Sequence, residues 1–169
     1  MNNEEDRRTL RVLSLFLHYP EETVSDADLS ALPAIPEKRV LEAFWAYRQA
    51  TPLLRLQEEY TRTFDLNPST CLNLTFHHRE ANCRGKLLVW LREEFEDAGY
   101  ETLPGELPDY LPLVLEFFTV CPDPHRRRIC REYSAPVALL ASRLKDAGSP
   151  YAGLMELVKD SFCANCLVV

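Results

Sequence analysis

Residues 103–118 read LPGELPDYLPLVLEFF, and the whole fold turns on how this stretch is read. Pro104, Pro108 and Pro112 stand four residues apart, with Glu106 and Asp109 among them, before the chain turns apolar. Prolines at helical spacing are a contradiction, because each lacks the N–H that a helix interior needs. The contradiction disappears if a helix starts here, since the first N–H groups of a helix have no intrahelical acceptor. Asp109 is then expected as the N-cap, its carboxylate accepting from the first turn, and Pro112 as the third helical residue. Leu111, Val114, Leu115 and Phe118 form the inward stripe. Pro104 and Pro108 lie before the helix and stiffen the approach to it.

Toward the N-terminus the same helical periodicity recurs. Leu10, Leu13 and Leu17 share a face, with Val12 and Phe16 beside it, predicting a helix over about 4–18 that ends at YPEE. The stretch 23–36 contains Pro33 and Pro36 and is expected to be a loop. A second helix is predicted over about 37–50, with Val40, Leu41, Phe44 and Trp45 inward, and a third over about 52–64 through Leu53, Leu56, Tyr60 and Phe64. FDLNPST at 64–70 has turn chemistry. A fourth helix is predicted over about 78–98, with Leu87, Leu88, Trp90, Leu91 and Phe95 in its core.

Beyond CPDP at 121–124 a long helix should reach about 147 and stop at Gly148. Pro136 inside it predicts a kink or a split. SPYAGLMELVKDSF opens a last helix with Ser149 as cap and Pro150 as first residue. About seven helices and no convincing strand make an all-α bundle, a single domain spanning 1–169, similar in size to one ordinary domain.

Composition narrows the function. The 169 residues are 46% hydrophobic, enough for a real core, and the formal net charge of −7 disfavours nonspecific nucleic-acid binding while suiting a basic partner. MNNEEDRRTL lacks the basic-then-apolar pattern of a secretory signal, and no apolar run approaches the ~20 residues of a membrane span. A soluble cytoplasmic protein is expected, as a monomer or weak dimer, with no direct membrane insertion.

No nucleotide-binding glycine loop, P-loop or nucleophile elbow is present, so an enzyme reading has no residues to rest on, and no cofactor is expected. CANC at 163–166 is the sharpest short motif. It closes the chain after a helix, whereas a redox CxxC opens a helix after a strand. As half a zinc site it needs two more ligands, for which Cys71, Cys83, His77 and His78 are the candidates. Free thiols are the default for all six cysteines. From Arg92 to Asp109 there are seven acids and one base. Two readings stand side by side: a solvated helix face plus loop, or an acidic rim beside an apolar groove suited to a basic amphipathic peptide. The basic run HRRRICR at 125–131 reads as a solvated helix turn.

Three segments also resemble one family. ELPDYLPLVLEFF is similar to the "E-L-P-D-H-L-P-x-x-L-E" segment of the NarJ-type chaperones, relatives of the TorD and DmsD proteins. YTRTFDLNPSTCLNLTFHHRE at 60–80 resembles their "Y-x-x-T-F-D … S-L-x-L … H" segment, and LSLFLHYPEE at 13–22 their first helix and its "L-x-Y-P" end. The order is right and the match covers the chain to about residue 120. The chain departs from the pattern at Tyr110, where the family has His.

The resemblance implies an all-helical, non-enzymatic chaperone for maturation of a molybdoenzyme, a respiratory nitrate reductase above all. Such a chaperone binds the N-terminal peptide of the apo catalytic subunit and holds it competent for molybdenum cofactor insertion before membrane assembly. The site expected from it comprises Asp109 and Tyr110 at a groove mouth, Glu106 as a rim acid, Tyr60 and Asp65 from the second segment, and Pro108 and Pro112 positioning the loop. Asp109→Asn is expected to weaken peptide binding more than it lowers the melting temperature. The alternatives are a chaperone for another dimethyl sulfoxide reductase-type enzyme, a Cys-based metal-binding or redox regulator, and a permanent subunit of the reductase.

Overall fold

The computed structural model describes residues 3–21, 37–78 and 83–166. The predicted loop over 23–36 lies outside the described residues. Among those described, seven α-helices form the fold: α1 (Asn3–Leu17), α2 (Lys38–Ala50), α3 (Leu53–Tyr60), α4 (Arg84–Asp97), α5 (Leu111–Val120), α6 (Asp123–Asp146) and α7 (Ala152–Cys166). The protein is all-α, as expected. Among the described residues, extended backbone pairs only at an isolated antiparallel bridge between Asn73 and Tyr110.

The core is built by the predicted stripes. Leu10, Val12, Leu13, Phe16 and Leu17 of α1 and Leu111, Val114, Leu115 and Phe118 of α5 are all buried. Burying each such side chain contributes about 1.5–3 kcal/mol. The two helices run antiparallel. Arg7 Nη1 donates to the Thr119 carbonyl at 2.8 Å near one end, and Ser14 Oγ to the Pro112 carbonyl at 2.8 Å near the other. Helices α6 and α7 form a second antiparallel pair. Its turn has Gly148 at φ +61°, where the helix was predicted to stop, but α7 starts at Ala152: Pro150 lies in the turn before it and is not its first residue, and the Ser149 hydroxyl accepts from the Tyr151 N–H at 3.3 Å within that turn.

The three prolines each occupy a place that needs no N–H. Leu103 and Glu106 close one tight turn, the Glu106 N–H donating to the Leu103 carbonyl at 3.1 Å, with Pro104 and Gly105 central. Gly105 has φ +93°, a conformation that a side chain would strain. Leu107 and Tyr110 close a second turn around Pro108 and Asp109 in the same way, at 3.1 Å. Pro112 then falls in the first turn of α5.

Two details of that reading are corrected. The N-cap position belongs to Tyr110, which makes no side-chain cap bond, so Pro112 is the second helical residue and not the third. The Asp109 carboxylate is turned away to a distant partner. It accepts from Asn73 Nδ2 at 3.0 Å, from the Thr75 N–H at 3.2 Å and from Thr75 Oγ1. A proline near the start of α5 leaves fewer N–H groups for a cap to accept, and three donors wait on the 73–75 segment.

Other expectations also shift. Helix α6 is unbroken through Pro136. The carbonyl that Pro136 leaves without a helical donor is that of Glu132, an exposed residue, and the buried face of α6 is held against α7. The third helix continues past Tyr60 as a widened turn over Thr61–Asp65, closed by the Leu66 N–H on the Thr61 carbonyl at 2.9 Å. Helix α4 is described from Arg84, the predicted stretch 79–82 lying outside the described residues, and Leu74–His77 forms a separate 3₁₀ turn. Leu53, Leu87, Leu88, Trp90, Val40 and Trp45 are half-buried where core positions were expected.

The basic run on α6 is bound into the fold and not merely solvated. Arg128 grips the buried Glu94 carboxylate with two bonds of 2.7 Å, and His125 Nδ1 lies 2.8 Å from it. Burial pushes the Glu94 carboxyl upward, but the hydrogen bonds from Arg128 and His125 outweigh it and hold it below the ordinary value. Arg126 is buried beside Asp6 at 2.5 Å.

His77 is also a structural group. Its Nε2 lies 2.7 Å from the Cys71 carbonyl and its Nδ1 lies 3.2 Å from Arg143 Nη1. The carbonyl only accepts and the guanidinium only donates, so the ring is neutral with its proton on Nε2. Burial lowers its pKa, the Cys71 carbonyl and the Asp109 carboxylate oppose this, and Arg143 adds to it. A depressed folded pKa means that the unfolded chain binds more protons, so stability is lost as pH falls below the ordinary histidine value of 6.5. His18, lowered chiefly by burial, acts in the same direction. Melting temperature is therefore expected to fall between pH 7.5 and 5.5, and H77Q to flatten that slope in a calorimetric pH series.

Candidate peptide-binding groove

On the outer side of the α1–α5 seam lies a groove of about 460 Å³. Arg11, Ser14, Leu15 and His18 of α1 form one wall, and Leu113, Glu116, Phe117 and Val120 of α5 form the floor. The opposite wall is the connection from α4 to α5. Gly99 starts it with φ +84°, and the Tyr100 N–H returns to the Phe95 carbonyl at 2.9 Å, which turns the chain across α5. The Tyr100 ring meets Phe117 edge-on at 5.7 Å, and Phe117 stacks on Phe95 at 4.0 Å. The connection contributes Glu101, Leu103, Glu106 and Tyr110 to the wall. Leu103 is 68% exposed, an apolar side chain that nothing among the described residues covers. Apolar and aromatic surface thus lies between three exposed acids, Glu101, Glu106 and Glu116.

Beneath the mouth, residues distant in the sequence converge. The Tyr60 hydroxyl donates to the Leu17 carbonyl at 3.0 Å and lies 2.9 Å from the Tyr110 hydroxyl. Tyr60 has one proton and spends it on a carbonyl, so Tyr110 is the donor in the pair. Burial raises the pKa of both phenols above the ordinary value of 10, so the pair stays neutral. The His18 ring meets Tyr110 edge-on at 5.6 Å. The Leu74 N–H donates to the Asp109 carbonyl at 2.9 Å and the Leu111 N–H to the Leu72 carbonyl at 2.8 Å. Arg84 Nε donates to Thr75 Oγ1 at 3.2 Å while its guanidinium covers the Phe76 ring. The three segments singled out in the sequence therefore meet at one node, which fixes the loop that forms the groove wall.

The residues expected at the site divide accordingly. Tyr110 and Glu106 line the groove. Asp109, Tyr60, Pro108 and Pro112 are buried under it, and Asp65 is exposed but does not line it. Sequence reasoning missed Arg11, Leu15 and His18, and also Leu113, Phe117 and Val120. One signal was available: Leu15 falls outside the inward face of α1, and Leu113 and Val120 outside that of α5, leaving unassigned apolar residues on both helices.

A larger cleft, about 640 Å³, lies between α1, α6 and α7, but its walls mix Asp6, Asp123 and Asp160 with Arg126 and Arg127 and include no aromatic residue. Its apolar lining, Leu10, Leu13 and Leu157, lies among charges of both signs. Among the described residues no group of three or more His, Cys, Asp or Glu side chains is placed to hold a metal ion, and the six cysteines are free thiols. No helix among them is long and apolar enough to cross a membrane.

Comparison with known families places this architecture. The model of the nitrate reductase delta subunit family matches residues 31–156. The chain belongs to that family. It is 35% identical over 149 residues to the probable nitrate reductase molybdenum cofactor assembly chaperone NarW of Escherichia coli K12, covering 87% of this chain and 64% of that protein. It is 32% identical to the probable nitrate reductase molybdenum cofactor assembly chaperone NarJ of Bacillus subtilis 168, with 94% and 90% covered, and 30% identical to E. coli K12 NarJ, with 88% and 67% covered. The chain thus spans about two thirds of the E. coli relatives and most of the Bacillus one.

Proposed function

We propose that this family member is a non-enzymatic, system-specific chaperone for maturation of a nitrate reductase. It binds the N-terminal peptide of the apo catalytic subunit and holds that subunit competent for molybdenum cofactor insertion before membrane assembly. The observation that carries the peptide-binding part is the groove on the α1–α5 seam, with an apolar, aromatic floor and an acidic rim. Its volume lies in the range of specific ligand sites. An amphipathic helix that sets a few apolar residues on Leu113, Phe117 and Val120 gains most of its affinity there, and its basic residues meet Glu101, Glu106 and Glu116. Tyr110 supplies an aromatic side to the mouth, and Asp109, Tyr60, Pro108 and Pro112 hold the wall in place. The assembly-chaperone names of the relatives support the client assignment.

Copurification tests the chaperone role. The tagged chain is expected to retain catalytic subunit that contains no molybdenum by elemental analysis and to release it once loaded. Stable retention of the molybdenum-loaded enzyme would instead mark a permanent subunit. Peptide affinity should also weaken several-fold between about 50 and 500 mM salt, as rim charges are screened; a flat salt response in fluorescence anisotropy removes the acids from recognition.

A further inference from the structure

We propose that Cys163 and Cys166, set side by side in the last turn of α7, form a two-thiolate site for one soft cation of the copper(I) class. The site does not depend on the peptide-binding reading, since neither cysteine lines the groove. CANC falls at 163–166, wholly inside α7, which ends at Cys166. Residues three apart on a helix are neighbours, with Cβ atoms about 5–6 Å apart. Cys163 is exposed and open to an incoming ion, whereas Cys166 is half-buried and packs against the core, which fixes its position. The turn itself is held: Asn165, between them, donates from Nδ2 to the Ser161 carbonyl at 2.7 Å. Other thiols are placed differently. Cys121 and Cys130 are buried, and the Cys71 sulfur lies 3.9 Å from both the Asn73 carbonyl and His77 Nε2.

The spacing selects the ligand. A disulfide needs Cβ atoms only about 3.5–4.5 Å apart, so closing one would pull this turn out of helical geometry. An ion between two sulfurs at thiolate distances of about 2.3 Å holds them as much as about 4.6 Å apart, within reach of the helix as it stands. Thiolates are soft ligands and favour copper(I) over the hard, oxygen-seeking magnesium and calcium. Zinc requires four ligands, and among the described residues no third His, Cys, Asp or Glu joins the pair. Copper(I), with a filled d shell, is complete with two thiolates in line. The end of the helix adds to this, because the free carbonyls of a helix C-terminus favour a bound cation. That is the reverse of the N-terminal field that activates a redox CxxC. Binding forms two S–Cu bonds, breaks two S–H bonds and releases both protons to water, with no electron transferred.

The test uses the full chain, reduced and kept free of oxygen, titrated with copper(I) alone in competition with a chromophoric copper(I) chelator. The wild-type chain is expected to withdraw one equivalent from the chelator, and X-ray absorption to find two sulfur neighbours around the metal. C163S, altered at an exposed position, is expected to keep the wild-type melting temperature and to lose more affinity than the roughly 10–100-fold that an outer-shell change costs. C163S/C166S is expected to lose the site altogether, and C71S/C83S, with the CANC pair intact, to titrate like wild type. Four results each overturn the proposal: no withdrawal of copper(I) by the folded wild-type chain, an equivalent still withdrawn by C163S/C166S, a C163S variant as tight as wild type, or zinc held as tightly as copper(I) in a parallel dye competition.

Discussion

Replacing Leu113 with arginine will weaken binding of the client peptide by about 30-fold, the effect of losing one central anchor worth about 2 kcal/mol. Leu113 is half-buried in the groove floor, between the Tyr110 mouth and Phe117. Arginine there puts a cation where the peptide's apolar face must sit and sets a positive charge against a basic ligand. The fold should tolerate it, because the long side chain can lie along the groove with its guanidinium in water, so the melting temperature should move by only a few degrees. Anisotropy with a labelled peptide reads the first quantity and a thermal melt the second. Unchanged affinity in L113R would place the ligand elsewhere on the molecule.

Substitution of Asp109 acts on the other side of the same wall. Asp109 is fully buried, and its two carboxylate oxygens serve Asn73 Nδ2, the Thr75 N–H and Thr75 Oγ1. In D109N one oxygen becomes an NH₂ group that faces donors, leaving buried groups unsatisfied at a cost of about 2–3 kcal/mol. For a chain of this size that lowers the melting temperature by about 4–12 °C. The order of effects expected from sequence is thereby reversed: stability falls first, and peptide binding falls only as the 103–110 wall loosens. A normal melt with weakened binding would instead put Asp109 in contact with the ligand.

Asp109 also shows where the sequence stops being legible. A carboxylate one or two residues before a helix looks like a cap, and only the fold reveals donors 34 and 36 residues away. The stripes of α1 and α5 were readable because burial imposes a 3.6-residue period on either helix alone. Their antiparallel pairing was not, since it joins Ser14 to Pro112 across 98 residues. The groove is a product of that pairing, which is why Arg11, His18 and Leu113 escaped notice while Glu106 and Tyr110, marked by their motif, did not. The proline spacing was readable as an approach and a helix start, but the two turns within the approach emerge only from the Leu103–Glu106 and Leu107–Tyr110 bonds. HRRRICR read as solvated because its partners Asp6 and Glu94 belong to α1 and α4.

The central claim is that the groove binds the N-terminal peptide of a nitrate reductase catalytic subunit. Calorimetric titration of the full chain with the first ~20 residues of that subunit, against a scrambled peptide of equal composition, tests it most directly. The account predicts saturable one-site binding with a negative heat-capacity change from apolar burial, absent with the scrambled peptide. A folded chain that gives no saturable heat, or the same heat with both peptides, contradicts it.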